Sequence, residues 1–243
     1  MGKVLLLTRR EISAYFVSPI AYVAMALFLV IAGVFFALAD FRPGAPAAMR
    51  SIFDIMMFIL IFVIPIVTMR SLSEEQRSGT IETLLTAPVT DIEVVVAKFL
   101  GSWIFYLAML APTLVYVVLL AVFGNPEYGP VASGYLGLAL LGALYVSVGL
   151  FASSLTQNQV IAAVTGFVIL ILLAMLGPWI ATVVPSRVWI IGLRTLVQQA
   201  TVRTHYLDFS QGVVDLVHVI YFVALTAYAL FLTVKVLESR RWR

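Results

Sequence analysis

Glu74, Glu75 and Glu82 crowd with Arg70 and Arg77 into one polar stretch between two long apolar runs. Elsewhere the ionisable residues that can do chemistry are sparse. Asp215 and His218 stand three residues apart, which puts them on one face of a helix. An enzyme would need a nucleophile with its base, or metal-binding carboxylates, at matching depth. The acidic residues cluster instead in the polar stretch and at the edges of apolar runs, with no Ser-His or Asp-rich motif. Asp215 and His218 lie near the start of the last apolar run. A charge there costs far less than the roughly 2.5–3.5 kcal/mol it would cost at a bilayer centre. The pair therefore reads as a structural tie between an outer loop and the last span, with a proton relay as the alternative. Asp54 sits similarly, as a helix-start charge.

Other chemistries are excluded outright. The chain has no cysteine and only two histidines, so disulfides, Cys-ligated metals and a His-rich metal site within one chain are ruled out. No glycine-rich phosphate cradle of the G-x-x-x-x-G-K-[ST] kind occurs, so no cofactor or nucleotide site is expected in this chain. The net charge of +3 is modest and gathers near span ends, which argues topology and no nucleic-acid partner.

The elements that carry these residues are membrane spans. The chain is 63% apolar and 11% charged, against about 25% charged in an ordinary soluble domain. Six stretches approach the roughly 20 apolar residues needed to cross a bilayer. They are Ile20–Ala39, Ile52–Thr68, Phe99–Phe123, Tyr135–Ser154, Val160–Ile180 and Val213–Val234. Ten of the 15 basic residues then fall on the side holding both termini, which is cytoplasmic by the positive-inside rule. The reading is an all-α integral membrane protein, one membrane domain over residues 1–243. Residues 1–19 form an interfacial helix that ends at Pro19. Residues 70–98 form a cytoplasmic loop. Residues 181–212 form an external loop that, with Trp179 just before it and Trp189 and Tyr206 within it, lies in or dips into the outer interface. Within the spans, Pro65 and Pro112 are candidate kinks. Gly33/Ala37 and Gly149/Ser153 have the spacing of close helix packing. Tyr106, Tyr116, Tyr145, Ser147 and Thr165 are candidate linings of a polar route between two protomers.

The cytoplasmic stretch has internal order. Ile81, Leu84 and Leu85 share one face of a short helix that Pro88 ends. Gly79 permits a sharp change of direction before it. Thr90 and Glu93 have capping-box spacing for the next helix. On composition this stretch is either a solvated connector or a helix that docks into a groove on a soluble partner.

The run Glu74-Glu75-x-Arg77-Ser78-Gly79-Thr80-Ile81-Glu82-x-Leu84-Leu85-x-x-Pro88-Val89 resembles the signature of ABC type-2 permeases. The segment from Arg10 and Glu11 through Tyr15, Phe16, Ser18 and Pro19 to Val23 resembles their gliding-motility-associated (GldF-like) branch. So does the end of the chain, with His205, Asp208, Phe209, Gly212 and Asp215, then Tyr221-Phe222 and the tail Leu237 to Trp242. The resemblance implies a six-span half-transporter with an elbow helix at its amino terminus. It implies that residues Glu74 to Pro88 form the coupling helix, seated in a cleft of a separate ABC ATPase subunit that binds ATP and Mg. It further implies a second permease protomer (the same chain or a paralogue), possible accessory membrane subunits, and multi-pass insertion in the inner membrane of a prokaryote, with export as the direction. A secondary transporter would instead carry midplane charges or paired broken helices, and neither is visible.

Overall fold

The computed structural model describes residues 2–40, 48–79, 89–124, 126–183 and 201–241, and within these every regular element is helical. The helices are α1 (Gly2–Val17), α2 (Pro19–Ala39), α3 (Arg50–Thr68), α4 (Arg70–Arg77), α5 (Asp91–Leu110), α6 (Leu114–Phe123), α7 (Tyr128–Leu155), α8 (Gln159–Val183), α9 (Val202–Ser210) and α10 (Leu216–Arg241).

Among the described residues, five helical segments are long and apolar enough to cross a membrane: Pro19–Leu38, Arg50–Arg77, Asp91–Phe123, Tyr128–Leu155 and Leu216–Ser239. Helix α8 is 25 residues long, and its apolar stretch with described side chains runs from Gln159 to Met175. Helix α7 is the most buried of the five spans and packs against α3, α4, α5, α8, α9 and α10. Large neighbours reach its backbone at glycines. A Cβ on Gly142 would sit 2.0 Å from the Tyr106 ring, and one on Gly149 would sit 2.1 Å from Thr68 Oγ1. The Gly149/Ser153 spacing is thus the crossing point of α3 and α7. By contrast α2 and α10 are mostly uncovered, and Val23, Val30, Val34, Val217, Val223 and Phe231 on them are exposed, as lipid-facing residues are.

The two prolines behave differently. Pro65 is accommodated inside α3, whereas Pro112 lies in the 3₁₀ turn Ala111–Thr113 that separates α5 from α6. Proline's missing N–H and its ring clash with the preceding turn account for such a break.

The stretch from Met69 to Lys98 is not all loop. Helix α3 passes through a single turn residue, Met69, into α4. The side chain of Asp40, at the end of α2, accepts a 3.0 Å hydrogen bond from the Ile52 N–H in the first turn of α3. Part of the outer loop also folds inward. Val202, Tyr206 and Phe209 recur at i, i+4 and i+7 on α9, and all three are fully buried. Tyr206 is therefore core and not an interfacial anchor, because α9 inserts between α3, α7 and α8. The side chain of Trp179, and Trp189 entirely, lie outside the described residues.

Candidate functional site

Helix α4 is short and polar, yet it is the best-anchored segment at its end of the bundle. Its first N–H groups need acceptors from outside the helix. The residue before it, Met69, offers no side-chain cap. Ser153 of α7 supplies one instead: its Oγ accepts from the N–H groups of both Leu72 and Ser73 at 3.0 Å, and its own proton goes to the Met69 carbonyl. The Ser73 hydroxyl also donates to that carbonyl. Farther along, Gln76 Nε2 donates to the Ser154 carbonyl at 2.9 Å, and Arg70 Nε donates to Gln159 Oε1 at 3.2 Å. Four of these contacts run between α4 and the α7–α8 corner.

The other side of α4 is held by charge. Lys98, on α5, is only 3% exposed, and its ammonium lies 2.7 Å from Glu75 Oε1 and 3.0 Å from Glu11 Oε1. One buried lysine therefore joins α1, α4 and α5. A buried ion survives only when its hydrogen-bonding capacity is met by close partners, and two carboxylates meet it here. Helix α1 approaches α5 closely enough that a Cβ on Gly101 would sit 2.6 Å from Glu11 Cβ. One turn away, Tyr15 Oη and Ser102 Oγ are 2.8 Å apart. Ser102 spends its proton on the Lys98 carbonyl, so Tyr15 is the donor. Burial raises the Tyr15 hydroxyl above its ordinary pKa, opposed by the Ser102 hydrogen bond, and it remains a donor throughout the physiological range.

Beyond Arg77 the chain turns at Ser78 and Gly79. The φ of +72° at Gly79 is the left-handed region, which a β-branched side chain adopts only with strain. Helix α5 begins with the expected capping box: Thr90 Oγ1 accepts from the Glu93 N–H at 3.3 Å, and Glu93 Oε2 accepts from the Thr90 N–H at 2.9 Å. Of the coupling residues named from the sequence, Glu74, Glu75, Arg77 and Gly79 belong to this anchored stem. Thr80, Ile81, Glu82, Leu84, Leu85 and Pro88 lie outside the described residues.

The family model described as "ABC-2 family transporter protein" matches residues 46–201, well over half of the chain. The chain belongs to the ABC-2 transporter family. The probable multidrug ABC transporter permease YbhR of Escherichia coli strain K12 is 27% identical over 148 residues, and YbhR of strain O157:H7 gives the same match. That stretch is 61% of this chain and 39% of the relative, so the chain spans well under half of the curated proteins it resembles. The ABC-2 match covers α3, α4, α5 and α7, the helices that build the stem, whereas Glu11 on α1 lies outside it.

The candidate pathway residues of this ABC-2 chain have varied surroundings. Tyr106, Tyr145 and Ser147 are fully buried between helices of one protomer. Tyr106 donates to the Leu138 carbonyl at 2.7 Å, joining α5 to α7, whereas Ser147 donates back to the Leu144 carbonyl at 2.7 Å within α7. Tyr116 is half-buried, donates to the Leu29 carbonyl at 3.2 Å and stacks on Phe36. Thr165 is half-buried on α8.

At the opposite end of the bundle the pairing expected between Asp215 and His218 is replaced. Asp215 Oδ1 accepts from the Val217 N–H at 3.0 Å and so caps the start of α10. The carboxylate partner of His218 is Asp208 of α9, 2.6 Å from Nε2. His205 Nδ1 lies 2.7 Å from His218 Nδ1, and the His205 ring stacks on Tyr221 with centroids 3.9 Å apart. A helix-face argument sees only i+3 neighbours, while this cluster is made by α9 folding back on α10. Lys98, Glu11 and Ser153 escaped for the same reason. One signal for Lys98 was present: a single lysine in the run Val94-Val95-Val96-Ala97-Lys98-Phe99-Leu100 calls for a buried counter-charge.

Proposed function

We propose that this chain is the permease subunit of an ATP-driven exporter, and that α4 is the stem through which a partner ATPase moves the spans. The observation that carries the reading is the anchoring of α4 to α1 and α5 through Lys98, and to α7 through Ser153. A segment tied to several helices transmits a displacement to all of them as one body. Residues 80–88 follow this stem in the sequence and include Ile81, Leu84 and Leu85, whose spacing would put them on one face of a helix.

On this reading α8 is a sixth span, α1 is the elbow helix, and both termini are cytoplasmic at the inner membrane of a prokaryote. Two such protomers enclose the pathway, the ATPase holds ATP and Mg, and its closure pulls the coupling segment with it. The gliding-motility-associated branch is supported by end motifs that the fold puts to use. Glu11 and Tyr15 dock α1, and His205, Asp208 and Phe209 dock α9.

The test is Leu84→Asp, which sets an unpaired carboxylate into an apolar cleft. It should abolish copurification of the ATPase or transport-linked ATP hydrolysis in reconstituted vesicles while leaving membrane insertion intact. Gly79→Val should impair coupling as well, and Thr86→Ser should leave it unchanged. Wild-type partner binding and transport by Leu84→Asp would reject the assignment.

A further inference from the structure

A cavity of about 310 Å³ lies where α1, the start of α2, the end of α3 and α4 meet. Its apolar lining toward the spans comes from Ile20 and Ala21 at the start of α2 and Ile66 and Val67 at the end of α3, with Ala14 contributed by α1. Its opposite wall is ionic, with Arg10, Arg70 and Glu74 beside the Lys98 cluster. An apolar wall on the membrane side and a charged wall at the span ends match the two halves of a lipid at the headgroup level.

The charges narrow the headgroup. Arg10, Arg70 and Lys98 are balanced in number by Glu11, Glu74 and Glu75. Lys98 is already engaged by Glu11 and Glu75. Arg70 gives its Nε–H to Gln159 and pairs only loosely with Glu74 at 3.9 Å, so its terminal amines and the partly exposed Glu74 carboxylate keep donor and acceptor capacity for a ligand. A purely anionic ligand would answer the arginines and leave Glu74 facing a like charge. A zwitterion answers both. Ser71 adds a polar group to the lining: it is 8% exposed, and its hydroxyl lies beside that of Tyr15.

We propose that this cavity binds the headgroup of a zwitterionic, amine-bearing phospholipid from the leaflet on the α1 side. Its phosphate sits between Arg10 and Arg70 within reach of Ser71, and its ammonium sits on Glu74. Guanidinium groups suit phosphate because their planar forks donate two parallel hydrogen bonds. An ammonium carries three donors for a carboxylate, which a quaternary choline lacks. The lipid's glycerol end meets Ile20, Ile66 and Val67. The inference depends on membrane embedding and not on the transport reading.

Native mass spectrometry of the intact protein in mild detergent tests it, with ethanolamine, choline and glycerol phospholipids of identical chains offered in competition. The ethanolamine lipid should be retained about tenfold over each of the others, the scale of one charge-assisted hydrogen bond. Water-soluble phosphoethanolamine should compete for the site, and inorganic phosphate should compete more weakly. Arg10→Gln combined with Arg70→Gln should lose the retention, while Glu74→Gln should erase the preference for ethanolamine over choline. Ala14→Trp, which fills the cavity and removes no charge, should also lose retention, so a folding defect in the arginine variant cannot mask the answer. Equal retention of the three lipids by the native chain, or unchanged retention in Ala14→Trp, would overturn the proposal.

Discussion

The ammonium of Lys98 lies 2.7 Å from the Glu75 carboxylate, across the gap between one helix that leaves the apolar bundle and another that enters it. Those two residues are 23 positions apart, and residues 80–88 lie between them in the chain. Any force applied to that intervening segment reaches the spans on either side of this contact. The energetic weight of the contact depends on burial, because an exposed ion pair contributes little whereas a buried charge without its partner is costly.

Removing the ammonium should be the most damaging change in the stem. Lys98→Met leaves Glu11 and Glu75 facing each other with no cation between them, at a cost of about 3–5 kcal/mol. Adding Glu11→Gln and Glu75→Gln to it should restore much of that loss. Thermal unfolding in detergent reads both effects, and a triple variant no more stable than Lys98→Met would refute the assignment of the cost to unpaired charge. Arg70→Ala, by contrast, removes a partly exposed pair with Glu74 and the hydrogen bond to Gln159, and should cost only about 1–2 kcal/mol.

Ser153→Ala should loosen α4 without disturbing the spans. The Leu72 and Ser73 N–H groups lose their acceptor, and a lost cap costs about 0.5–2 kcal/mol. Hydrogen exchange over residues 70–77 should rise while exchange in α7 stays slow. Unchanged protection of α4 would show that the cap carries no stability.

Gly142→Ala should destabilise through overpacking, because its Cβ would fall 2.0 Å from the Tyr106 ring. Such changes cost about 1–3 kcal/mol. Pairing it with Tyr106→Leu, which withdraws the ring, should recover part of the loss. Strictly additive effects of the two changes would contradict direct contact.

The two histidines should tie α9 to α10. Their Nδ1 atoms lie 2.7 Å apart, and a hydrogen bond between them needs a proton on one ring nitrogen and none on the other. His205→Phe keeps an aromatic ring beside Tyr221 and removes that bond. Hydrogen exchange across residues 202–219 should rise in the variant, and unchanged exchange would show that the bond carries no stability.

Membrane residence, the positions of most spans, the Thr90–Glu93 capping box and the turn at Gly79 could all be read from the residues alone. Each depends on interactions within one helix turn or on the average apolarity of a run, and helical geometry fixes which neighbours meet at i+3 and i+4. Lys98 with Glu11, Ser153 with the start of α4, Tyr206 in the core and Asp208 as the partner of His218 could not be read that way. Those contacts depend on how far one helix slides and rotates against another, which large side chains seated at Gly142, Gly149 and Gly101 decide. A one-residue shift at any of these crossings would turn a buried carboxylate or hydroxyl through about 100°. The sequence therefore sufficed for the apolar spans and the Thr90 cap, while packing decided that residues 70–77 and 202–210 are helices docked on the bundle and which polar groups form the stem beneath the spans.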